Sequence, residues 1–194
     1  MADKIRSVAL VGLGFAVVAA GCTGPDEPPT PSTPSTSSTP PSITGAQLDV
    51  SRYLSTPCSG VPAALTAQLG LVKPQDAHDT VLVNAGEQSQ CRFTSGPPLS
   101  AAAEVRFYPK ALPLPLVGGP GSQVEATSVA GYPAGEWVLS TGTDGSFTSC
   151  QIIVDVADGQ GLGTLYNGPA GEPVTASCAK ARQLAEGVLA ALPR

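Results

Sequence analysis

Chemistry in this chain has few residues to draw on: five cysteines, one histidine and a scatter of carboxylates. Four of the cysteines, Cys58, Cys91, Cys150 and Cys178, are spread through the C-terminal part of the chain. An even number in an exported chain reads as two disulfides, with three connectivities open. Zinc would call for close C-x-x-C pairs or added histidines, and the spacing offers neither, so no metal is expected. Pairing in sequence order would close two loops of about thirty residues, each stabilising by roughly 3 to 4 kcal/mol from chain entropy.

The remaining candidates for catalysis are sparse. No G-x-S-x-G elbow is present, and a Ser-His-Asp or Cys-His arrangement would have to use His78 in the polar stretch "QDAHDT", which reads as a solvated loop. Glu136, Asp144, Asp155 and Asp158 show no pairing pattern that would set two carboxylates across a cleft, and read as outward-facing charges. "GQGLG" from Gly159 lacks the G-x-G-x-x-G spacing of a phosphate-cradling turn. No catalytic residue and no cofactor are expected.

The fifth cysteine, Cys22, stands apart. It ends "SVALVGLGFAVVAAGC", whose Gly12 and Gly14 suggest a dinucleotide turn. The third glycine is missing, and a proline-rich run occupies the place of the ribose-binding acid. An export signal fits instead: Lys4 and Arg6 form a basic start, Ser7 to Ala20 is uncharged, and the run is shorter than the ~20 residues of a spanning helix. Ala19, Ala20 and Gly21 lead into Cys22, an ending that resembles the lipobox of bacterial lipoproteins, with alanine where leucine is commonest. The resemblance implies that residues 1–21 are removed and that the Cys22 sulfur carries a diacylglyceryl group. The rival reading is an ordinary secretory signal followed by a buried or paired Cys22.

Residues 22–45 then read as the lipidated cysteine and a stalk rich in proline, serine and threonine. Such a segment has too little apolar surface to offset its ordering entropy. Its prolines favour extended polyproline II, a spacer of up to about 60 Å. The formal net charge is −5, and loss of Asp3, Lys4 and Arg6 leaves the chain more acidic still. That balance argues against nucleic acid and against anionic lipid surfaces, both of which want clustered Lys and Arg.

Residues 46–194 fit one domain. Val61, Leu65 and Leu69 at helical spacing, closed by Gly70, predict a short helix. Pro173 can open a second, with Cys178, Ala181, Ala185, Val188, Leu189 and Leu192 on one stripe and Lys180, Arg182, Gln183 and Glu186 facing water. Strands are predicted at Thr80–Val83, Gln88–Thr94, Ala101–Tyr108, Val124–Val129, Glu136–Ser140, Ser149–Val156 and Gly161–Tyr166. Asp158–Gly159 is a hairpin tip between the last two. The expected class is α+β: a single domain whose antiparallel sheet is packed by an N-terminal and a C-terminal helix. Two features suggest binding. Leu112, Leu114 and Leu116 lie in the loop "KALPLPLVGGPG", which either offers a contact surface or closes over the core. Trp137 is either an interface anchor or packed against the sheet or a disulfide.

The order "PCSGVPAAL", "QCRF", "VAGYPA", "SCQIIVDVADG" and "SCAKARQLAEGVLAALP" resembles a family of actinobacterial cell-envelope lipoproteins of unknown function. The resemblance spans about residues 56 to 193, with Phe93 where tryptophan is frequent. It implies that cysteines neighbouring in sequence pair, Cys58 with Cys91 and Cys150 with Cys178, and it brings no catalytic residues. The expected protein is a non-catalytic binding module held on the extracytoplasmic face of the cell membrane through Cys22. Its partner would be an envelope protein, a wall component or a lipid. The alternatives are a carrier of a lipid or other small apolar ligand and, less favoured, an envelope hydrolase.

Overall fold

In the computed structural model the described residues are 42–79, 88–96, 101–110, 124–141 and 148–194. They form one antiparallel sheet of seven strands: β1 Leu71–Asp79, β2 Gln88–Ser95, β3 Ala102–Tyr108, β4 Glu125–Val129, β5 Tyr132–Thr141, β6 Thr148–Ala157 and β7 Gln160–Asn167. A short helix, α1 (Ala63–Gln68), precedes them and a long one, α2 (Val174–Ala191), follows. Two 3-10 turns, Ser51–Tyr53 and Pro57–Gly60, lead into α1. The order across the sheet is β1-β2-β3-β7-β6-β5-β4, so the two outermost strands are β1 and β4. The class is α+β, as the sequence predicts.

Period-2 alternation builds the core face. Ala103, Val105 and Phe107 from β3, Ile152 and Val154 from β6, and Leu162 and Tyr166 from β7 are buried on it. α2 covers β6 and β7 with Ala181, Leu184, Ala185 and Val188, the stripe its spacing predicts with Leu184 added. Pro173 stands at its N-cap, where no backbone N–H is needed. α1 reaches the same layer because α2 lacks a side chain at Gly187: a Cβ there would lie 2.5 Å from Leu65 Cδ2. Tyr53 stacks on Phe107 at 5.2 Å between ring centroids, closing the core near β3.

The chain enters the domain as a strap. Thr44 Oγ1 donates to Gly131 O at 2.8 Å and the Leu48 amide to Val156 O at 3.0 Å. The Val50 amide donates to Gln160 Oε1 at 2.9 Å, with Leu48 and Val50 buried. Packing against the core thus begins at Ile43.

Several expectations are corrected. The stretch "QDAHD", read as a loop, lies within edge strand β1. Most of its described side chains are exposed, so no alternation marks it, and Pro74 sits at a register irregularity between Val72 and Gln75. The predicted strand Thr80–Val83 lies outside the described residues. β5 begins at Tyr132, four residues early, because Ala130 (φ 51°) and Gly131 (φ 86°) make a two-residue hairpin from Val129 to Tyr132. Pro133 is tolerated because the ladder to β6 starts only at the Ala134–Val154 pair.

Candidate functional site

Cys22 and the loop residues Leu112, Leu114 and Leu116 lie outside the described residues. The four domain cysteines lie within them and are consumed. Cys58 is bonded to Cys91 and Cys150 to Cys178, with Cα–Cα distances of 4.7 and 5.0 Å and sequence separations of 33 and 28. The first staples the second 3-10 turn to β2, and the Cys58 amide also donates to Asp76 Oδ1 at 2.8 Å. The second ties α2 to β6. Ligand atoms of Glu136 and both of these sulfurs lie within 4.8 Å of one another. The sulfurs are bonded to each other and Glu136 Oε2 accepts from Arg182 Nη2 at 3.0 Å, so the trio brings together a disulfide and a carboxylate already paired with a cation.

Arg182 was expected to face water. Instead it also donates to Ser128 O at 2.9 Å and Thr127 Oγ1 at 3.1 Å, tying α2 to edge strand β4. Lys180 is engaged too: Nζ donates to Glu172 Oε2 at 2.9 Å and Tyr166 OH at 3.1 Å, and lies 4.9 Å from the Tyr166 ring centroid. Partial burial works to lower the Lys180 pKa, but the bonds to Glu172 and Tyr166 outweigh it and hold it above the ordinary value.

His78 meets a serine: Nδ1 lies 3.1 Å from Ser89 Oγ, the separation of a nucleophile and its base. The proton arrangement opposes that chemistry. Ser89 Oγ makes a short bond to the Leu54 carbonyl, which can only accept, so the hydroxyl proton is committed there. His78 Nδ1 therefore donates to Ser89 Oγ rather than taking its proton. Ser89 is also buried, and the pair reads as a clamp between β1, β2 and the first 3-10 turn.

The sheet face turned away from α2 offers a richer arrangement. Strand alternation in "AAEVRFY" sends Glu104, Arg106 and Tyr108 to it while Ala103, Val105 and Phe107 go to the core. Sequence reasoning did not single these residues out, although that alternation carries the signal. Arg106 Nε donates to Gln90 Oε1 at 3.2 Å and Glu104 Oε2 at 3.0 Å, and Nη2 also bonds Glu104. The register places Gln90, Arg106, Gly163, Ile153 and Gly135 in one row across five strands. The Tyr108 ring lies over Gly163, where a Cβ would come within 2.9 Å of it. Burial pushes the Tyr108 pKa up despite the neighbouring Arg106. The next row holds Trp137 opposite Gln151, on the face away from the Cys150–Cys178 disulfide. Trp137 is thus not packed against the Cys150–Cys178 bond.

Fold and cross-links together define a disulfide-stapled α+β domain with helices on one face of its sheet and a polar, aromatic and glycine-lined array on the other. The chain belongs to the family described as "Protein of unknown function (DUF3558)", which matches residues 17–191. No curated protein and no solved structure matches it.

Proposed function

We propose that this protein is exported, lipidated at Cys22 and held on the extracytoplasmic face of the cell membrane, where its domain serves as a non-catalytic binding module of the envelope. The observation that carries the reading is the pair of disulfides lying downstream of a signal-like N-terminus. Stable cross-links of this kind belong to oxidising compartments outside the cytoplasm. The family match takes in Cys22 together with the domain. Among the described residues no helix is long and apolar enough to cross a membrane. Attachment in this reading comes from the diacylglyceryl group on Cys22, whose two chains contribute about 0.8 kcal/mol per buried methylene.

The binding role rests on where side-chain functionality collects. The His78–Ser89 pair has its protons arranged against nucleophilic attack. The face opposite α2 gathers Arg106, Gln90, Tyr108 and Trp137 beside Glu104, side chains suited to polar and aromatic contacts with a partner. Affinity capture from membranes with the processed protein tests the role. The reading expects retention of a specific envelope component that is lost when the Arg106 face is altered. Turnover of an envelope polymer by the purified protein would overturn it.

A further inference from the structure

We draw no further inference here: the strongest candidate, the polar row that ends at Gln88 on the sheet face turned away from α2, carries none, because Gln88, Tyr108 and Ile153 are buried there and nothing in the structure shows what covers them.

Discussion

Replacing both cysteines of the Cys150–Cys178 bridge with alanine should cost the domain a large part of its stability. The bridge spans a sequence separation of 28. Cross-linking a loop of that length removes about 12 cal/mol/K of entropy from the unfolded chain, or roughly 3.5 kcal/mol at 25 °C. Cys150 is fully buried against the core, so its alanine variant also loses packing, adding about 1 kcal/mol. For a domain near 150 residues each kcal/mol moves the melting point by about 2 to 4 °C, so the entropic part alone lowers it by roughly 7 to 14 °C. Urea denaturation of the oxidised protein, the reduced protein and the double variant separates the two contributions. Reduction also opens the Cys58–Cys91 bridge, so the reduced sample is compared in a Cys58→Ala/Cys91→Ala background, where it retains the Cys150 and Cys178 sulfurs and should show only the entropic loss of that bridge. The equivalent change at Cys58 and Cys91, with a separation of 33, should give nearly the same entropic loss, because loop length enters as a logarithm. A double variant within about 1 kcal/mol of wild type, or native protein whose domain thiols titrate as free, would refute the reasoning.

Three further outcomes follow from single positions. Ala130 holds φ at 51° in the β4–β5 hairpin, so Ala130→Gly should raise stability by up to about 1 kcal/mol in thermal melts. Gly163→Ala forces a methyl to within 2.9 Å of the Tyr108 ring and should cost about 1 to 3 kcal/mol, with the tyrosine fluorescence perturbed. Asp155 has a folded pKa raised by burial above its ordinary value of 3.8, so its contribution is most favourable below that pH and is lost as pH rises through the raised value. Asp155→Asn should therefore be more stable than wild type at pH 7 but not at pH 3, as compared by chemical denaturation.

What could be read from the sequence followed local periodicity. α2 was legible because its apolar residues recur at helical spacing after Pro173, and the β6–β7 hairpin because Asp158–Gly159 separates two apolar runs. The neighbour pairing of the cysteines, implied by family resemblance, matches the structure. β1 was not legible, because an edge strand with mostly exposed side chains and an internal proline leaves no alternation to detect. The placement of β3 beside β7 depends on contacts between segments more than fifty residues apart, which no local pattern encodes. The row of Gln90, Arg106, Gly163, Ile153 and Gly135 is a product of that same register. Arg182 read as a solvated charge because its partners Glu136, Thr127 and Ser128 sit on strands distant in sequence.

The central claim, that the domain is displayed outside the membrane on a lipidated Cys22, is tested most directly by intact mass and N-terminal peptide mass spectrometry of the wild-type protein purified from membranes. The account predicts a mature chain that begins at Cys22 and carries the added mass of a diacylglyceryl group, with Cys22→Ser unprocessed or released from the membrane. A wild-type chain without lipid that begins at another residue, or that retains residues 1–21, would contradict it.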